Sequence, residues 1–199
     1  MEISWLDISS TMGLIAMLAL TLNMILGILL STGYKQKNYW KNLPVKLRQL
    51  NVLSIHNWTA YIALFLASVH ILFLLLDQSS KFTFRDLLYP INAPHQNIAV
   101  TLGVFSFYAL IIVIITTQQQ IKKRMSFRFW KNIHLVSYFT TLLFIIHGIL
   151  MDPLLKDRPV DWLDGEKLLV EACAVLLMAS TYLRISYHLS EKRIAKLNR

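Results

Sequence analysis

An all-helical integral membrane bundle of about five transmembrane helices is the fold class this 199-residue sequence predicts, and three observations carry it. The chain is 55% hydrophobic and only 16% charged, whereas a soluble domain carries about a quarter charged residues. Its apolar residues gather into runs of about 20, the length a helix needs to cross a hydrocarbon core of about 30 Å. Its 20 Lys and Arg, set against 11 Asp and Glu for a net charge of +9, cluster between those runs. In a soluble protein that excess would point to nucleic acid. Here it follows the positive-inside bias, so lipid and not nucleic acid is the expected surrounding. The single cysteine, Cys173, excludes an internal disulfide and any multi-thiolate site, and is expected to pack as a small apolar residue.

The first span, Met12–Leu30, follows Glu2 and Asp7 and precedes Lys35 and Lys37, so it reads as a retained helix and not a cleaved leader. Lys35, Lys37, Lys41, Lys46 and Arg48 fill the connector to the second span, Trp58–Leu76. Within that connector Trp40–Leu53 mixes bases with Leu43, Val45, Leu47 and Leu50, and is expected to lie as an amphipathic helix on the inner face. Phe82–Ile91 is expected to do the same outside, ending at Pro90 and Pro94. The third span, Ile98–Thr116, leads to Lys122, Lys123, Arg124, Arg128 and Lys131. The fourth, Val136–Met151, extends back over Trp130–Leu135. Asp152, Asp157, Asp161, Asp164 and Glu166 precede the fifth, Leu168–Leu183, and Arg184, Lys192, Arg193, Lys196 and Arg199 close the chain. All three basic clusters fall on one side, which places the N-terminus outside and the C-terminus in the cytoplasm. The connectors are too short for a second domain, so residues 1–199 read as one. None of the 6 glycines forms a GxGxxG nucleotide cradle.

Chemistry concentrates in the histidines. Ionisable side chains inside membrane spans are costly, and these spans hold almost none besides His56 and His70 on the second and His134 and His147 on the fourth. The intervals are 14 and 13 residues, each about 20 Å at 1.5 Å per residue. Both spans run from inside to outside, so His56 falls level with His134 near the cytoplasmic face, and His70 with His147 nearer the outside. A lone membrane histidine reads as a helix–helix hydrogen-bonding group. Two matched levels of facing imidazoles read instead as axial ligands of two haems, since imidazole suits iron and bundle cores are common cofactor sites. Zinc or copper fits less well, because each level offers two nitrogens with no thiolate or intramembrane carboxylate nearby. The intervals carry one difficulty. At about 100° per residue, 14 steps return within about 40° of the starting direction, but 13 steps leave about 140°. Either the fourth helix deviates locally or the two haems sit at different azimuths around it.

Haem propionates need cationic or hydrogen-bonding partners; Arg48, Arg128, Lys131 and Arg184 are inner candidates and Arg85, Lys156 and Arg158 outer ones, each also readable as an ordinary flanking charge. Trp58, Trp130 and Trp162 read as interfacial belt residues. Of Tyr61, Phe65, Phe73, Tyr138, Phe139 and Phe144 on the ligand helices, some are expected to pack on porphyrin. His95, in Ala93-Pro94-His95-Gln96, reads as a surface loop residue, and His188 lies past the last span.

The stretch Phe129-Trp130-Lys131-Asn132-Ile133-His134-Leu135-Val136-Ser137-Tyr138, together with His-x13-His on one span and His-x12-His on a later one, resembles the ferric reductase-like transmembrane domain superfamily. That group includes ferric reductases, NADPH oxidases and the haem-binding subunit of the bacterial methionine sulfoxide reductase system. The likeness runs over His56–His147 and more loosely over the rest. It implies two stacked b-type haems, one held by His56 and His134 and the other by His70 and His147, passing electrons across the membrane. Family members usually have six spans against the five read here, and several continue into a flavin- and NADPH-binding domain, whereas this sequence stops at Arg199.

The expected function is therefore an electron-transfer oxidoreductase component, a b-type cytochrome in a bacterial inner (plasma) membrane. It would take single electrons from a separate cytoplasmic donor, a flavoprotein or quinol, and deliver them to ferric iron, oxygen or a partner reductase outside. The basic tail Arg184 to Arg199 is expected to dock an acidic donor. The alternative is a haem-containing assembly or accessory subunit of a larger membrane redox complex. A haemless transporter would need polar lining groups that these spans lack.

Overall fold

The computed structural model describes residues 4–152, 155 and 162–197, with side chains described up to residue 190. In chain order its helices are α1 (Trp5–Ser31), α2 (Asn38–Lys41), α3 (Val45–Arg48), α4 (Val52–Leu76), α5 (Phe84–Leu88), α6 (Asn97–Thr117), α7 (Gln119–Lys122), α8 (Phe127–Leu150) and α9 (Gly165–Leu197). Five of them, α1, α4, α6, α8 and α9 up to Ser190, are long and apolar enough to cross a membrane. These are the five spans expected from the sequence, each beginning earlier than expected, and α8 takes in Trp130–Leu135 as anticipated while ending at Leu150, one residue short of Met151. Large apolar side chains such as Leu22, Phe65, Phe105, Phe139 and Met178 are exposed along these helices. Water would penalise that surface, and hydrocarbon does not.

Capping residues set where the spans begin. Ser4 and Asp7 form a reciprocal capping box at the start of α1, Asn51 accepts from the Ser54 N–H before α4, and Ser126 accepts from the Phe129 N–H before α8. The expected amphipathic helix over Trp40–Leu53 does not form as one element. It is split into α2 and α3, because Pro44 has no N–H to give and keeps Leu43 out of helical geometry. The outer surface segment is likewise shorter than Phe82–Ile91: α5 covers Phe84–Leu88, and a 3-10 turn follows at Pro90–Asn92.

Two antiparallel helix pairs, α1 with α4 and α6 with α8, make the body of the bundle, and α9 leans on α1 and α8. Little backbone packing joins α4 to α8; they face each other through histidine rings. One end of the bundle gathers the basic connectors, where Lys37 lies over the Tyr187 ring and Lys122 over that of Trp130. At the other end Asp77 accepts from the Leu6 N–H, tying the end of α4 to the start of α1. There too Gln96 accepts from the Asp152 N–H, tying α6 to the end of α8. Further hydrogen bonds from Ser79 and Ser80 hold the Asp77 carboxyl below the usual carboxylate range.

The apolar core has two main parts within the membrane. Met17, Met24, Ile145, Val170, Cys173 and Leu177 join α1, α8 and α9, so Cys173 packs as the small apolar residue expected. Leu20, Ala63, Leu110 and Ile114 join α1, α4 and α6, with Phe144 packed against them. Ala63 is midway between His56 and His70 in sequence. This second cluster therefore forms a dry layer between two levels of polar chemistry.

Candidate functional site

The four span histidines meet in two pairs. The His56 and His134 rings have centroids 6.2 Å apart with planes at 76°, and the His70 and His147 rings 6.5 Å apart at 72°. A metal–imidazole bond of about 2 Å plus about 1 Å from nitrogen to ring centre, taken on both sides of one ion, gives about 6 Å. Each separation is therefore what two imidazoles on opposite sides of one metal require.

Two of the rings are held by one device used twice. His70 donates its Nδ1–H to the main-chain oxygen of Ser9 at 2.7 Å, and the Ser9 hydroxyl donates back to the main-chain oxygen of His70 at 2.9 Å. His56 donates its Nδ1–H to the main-chain oxygen of Asn23 at 3.0 Å, and the Asn23 amide donates back to the main-chain oxygen of His56 and to Thr59 Oγ1. In both cases the imidazole lies on a glycine four residues further along α1. A Cβ on Gly13 would stand 3.1 Å from His70 Nδ1, and one on Gly27 3.2 Å from His56 Cε1. The missing side chain at that position leaves the carbonyl one turn earlier open to a second donor. The interval explains the repetition: Ser9 to Asn23, Gly13 to Gly27 and His56 to His70 are each 14 residues, close to four turns, so both helices present the same face twice.

His147 uses the carbonyl and glycine of this arrangement on α6, without a returning side-chain donor. Its Nδ1–H goes to the main-chain oxygen of Ala99 at 2.8 Å, and a Cβ on Gly103 would come within 2.7 Å of Nδ1, closer than real contacts allow. Thirteen residues on, the device fails. The α6 residues in the corresponding register are Ile112 and Thr116. Ile112 faces outward, 55% exposed, and its carbonyl is taken by the Thr116 hydroxyl at 2.9 Å. His134 accordingly has a buried Nδ1 with no hydrogen-bond partner among the described residues. It is held instead by stacking on Trp130 one turn earlier, with centroids 5.3 Å apart and planes at 14°. Helix α8 runs unbroken from Phe127 to Leu150, so the 13-residue interval is met by different ring placements and not by a break in the helix.

Around the second pair the bundle is hollow on both sides. A cavity lies toward α1 and α9, with Ser10, Glu166 and Lys167 among its walls. Another lies toward α5 and α6, with Thr83 and Asp86 among its walls. Both are lined by His70, His147, Phe144 and Met151. Lys167 is buried and donates to the main-chain oxygens of Gly148 and Met151.

The remaining sequence candidates separate clearly. Trp58 and Trp162 are exposed, as belt residues would be, but Trp130 is half-buried against His134 because an i, i+4 spacing places the two rings on one helix face. Arg48, Arg85, Arg128 and Lys131 are exposed, while Arg184 lies over the Tyr138 ring. Lys156, Arg158, Asp157 and Asp161 are outside the described residues, as is Arg199, and the side chains of Lys192, Arg193 and Lys196 are likewise not described. His95 is half-buried against Phe82, 6.3 Å between centroids. Of the ligand-helix aromatics, Phe144 lines both cavities, Phe73 stacks on Trp5, and Phe65 and Phe139 are exposed. Sequence reasoning missed Ser9, Gly13, Asn23, Gly27, Ala99 and Gly103. The equal 14-residue spacings of the glycine pair and the histidine pair were the available signal.

The donor set fits haem. Donation from Nδ1 fixes three rings in the tautomer whose Nε2 lone pair is bare, which is the form a metal ligand needs. Among the described residues no group of three or more His, Cys, Asp or Glu side chains gathers, so each level supplies two nitrogens, as a four-nitrogen macrocycle would require to complete six. The cavities on either side of the His70–His147 pair would be where such a group is accommodated.

Residues 12–145 match a family model described as ferric reductase like transmembrane component. The match takes in His56, His70 and His134 and stops two residues before His147. No curated protein sequence matches the chain.

Proposed function

Because the chain belongs to the ferric reductase-like transmembrane family, a group of integral membrane redox domains, we propose that it is a b-type cytochrome relaying single electrons across a bacterial plasma membrane. The observation that carries the reading is the pair of facing imidazole sets at two levels of one bundle. His56 and His134 would hold one haem and His70 and His147 the other. Haem so ligated supplies a one-electron ferric–ferrous couple with no open coordination position.

The chain's own residues do the rest. Main-chain oxygens of Ser9, Asn23 and Ala99 fix the rings of His70, His56 and His147 and raise their basicity as ligands. The layer of Leu20, Ala63, Leu110 and Ile114 keeps water from the space between the levels. By the positive-inside bias the basic end is cytoplasmic, so a flavoprotein or quinol donor meets the His56–His134 level. Ferric iron, oxygen or a partner reductase meets the His70–His147 level outside.

Reduced-minus-oxidised spectra of the purified chain test this. Two b-type components are expected, with His56→Ala and His134→Ala removing the same one and His70→Ala and His147→Ala the other. A haem-free protein, or one component lost in common by His56→Ala and His70→Ala and retained by His134→Ala, would overturn the assignment.

A further inference from the structure

Arg184 follows the apolar run Leu168–Leu183 on α9, about 9 Å along the helix from Ser190 at 1.5 Å per residue. Its guanidinium carbon sits 4.8 Å from the centre of the Tyr138 ring, and it donates to no acceptor among the described residues. A guanidinium carries five N–H donors and a fixed charge. At the end of an apolar run such a cation reaches the interfacial region, where an anionic partner stabilises it. Arg184 also lines an open groove between α8 and α9, together with Leu135, Tyr138, Thr181, Ile185, His188 and Leu189. The groove is at the basic end, where Lys37 lies over the neighbouring Tyr187.

We infer that this groove binds one anionic glycerophospholipid from the leaflet at the basic end. The phosphate pairs with Arg184 in the two-pronged manner that guanidinium groups favour. An acyl chain lies against Leu135, Ile185 and Leu189, side chains whose position in the bundle already faces hydrocarbon. Charge decides between occupants: a neutral quinol head would fill the groove and leave the cation unmatched, while a phosphate diester does both. The lipid would join α8 to α9 beside His134, the ring that lacks a main-chain anchor. The site requires no haem, so it stands or falls separately from the electron-relay reading.

The test is native mass spectrometry of the full chain, delipidated in detergent and titrated with phosphatidylglycerol, with phosphatidylcholine of the same acyl chains, and with a ubiquinone. One phosphatidylglycerol is expected to bind in preference to phosphatidylcholine. Loss of a charged hydrogen bond should make Arg184→Gln weaken that binding about tenfold. Arg184→Lys should restore part of it. Leu189→Trp, at an exposed position where folding is not at stake, should block the groove and lower binding without altering charge. Equal binding of the two phospholipids, or binding unmoved by Arg184→Gln and Leu189→Trp, overturns the proposal. Ubiquinone binding that depends on Arg184 reassigns the groove to a quinol. Haem loss from Arg184→Gln with lipid binding unchanged reassigns the guanidinium to the macrocycle.

Discussion

The α1–α4 pair and the α6–α8 pair solve one problem with different success. Each must present two imidazoles to the other pair. On α1–α4 the histidine interval is 14 residues, nearly whole turns, so one clamp of carbonyl, returning side-chain donor and glycine serves both histidines. On α6–α8 the interval is 13, the second position turns toward lipid, and only His147 receives a carbonyl and a glycine. A single residue of spacing thus separates three anchored imidazoles from one that rests on a tryptophan. Periodicity acts here on the ligands' hydrogen bonds as it ordinarily acts on apolar stripes.

The comparison breaks most sharply at Gly103. A Cβ there would stand 2.7 Å from His147 Nδ1, with no room unless ring or helix moves. Gly103→Ala should therefore remove most of the His70–His147 haem component, at least about tenfold in retained haem if the displaced ring forfeits even about 1.4 kcal/mol of binding. Gly13→Ala and Gly27→Ala, with contacts of 3.1 and 3.2 Å, should cost less and resemble each other. Pyridine haemochrome content of the purified variants measures all three, and an undisturbed Gly103→Ala protein would contradict the cradle.

The unanchored histidine, His134, supplies the next test. Trp130→Leu removes the ring on which His134 stacks, a contact worth about 0.5–1.5 kcal/mol, so retention of the His56–His134 component should fall several-fold while the other component holds. Thr116→Gly should not rescue it, because Ile112 faces outward whatever follows one turn later.

Much of this was legible in the chain and some was not. The five spans followed from runs of Leu, Ile and Phe alone, since a bilayer constrains length and polarity so strongly. The four histidines stood out because little else in the spans ionises. Ser9, Asn23 and the three glycines did not stand out. A small or polar residue in an apolar helix acquires meaning only from what packs on it, and that requires the register between helices. The mismatch of 13 with the helical repeat was visible, but its outcome depended on where Ile112 and Thr116 fall relative to α8. Trp40–Leu53 misled because its amphipathic pattern runs through Pro44, and the pattern ignores what proline does to the backbone.

The two clamps on α1 are not equal, and that difference is measurable. Asn23 donates to two acceptors where Ser9 donates to one, so Asn23→Ala should lower stability by about 1–3 kcal/mol and Ser9→Ala by about 1 kcal/mol in detergent unfolding. The smallest expected effect is at the far end of the same helix pair. Asp77 is held below the usual carboxylate range, chiefly by Ser79, so the folded state binds its proton less readily than the unfolded one. Its contribution is present above the ordinary value near 3.8 and is lost as pH falls through the depressed folded value. Asp77→Asn should flatten the acid limb of the stability profile and leave the neutral region little changed in slope. An unaltered acid limb would remove Asp77 from the account.

Each level draws one imidazole from α4 and its partner from α8, helices with little backbone packing between them. During synthesis this imposes an order. His56 and His70 enter the bilayer long before anything can oppose them, and 91 residues separate His56 from His147. At about 5–20 residues per second, the ribosome takes about 5–20 s to cover that distance. A chain arrested before α8 would carry two imidazoles already clamped to α1 and neither facing pair, so assembly of both levels is bound to be a late event in the biogenesis of this protein.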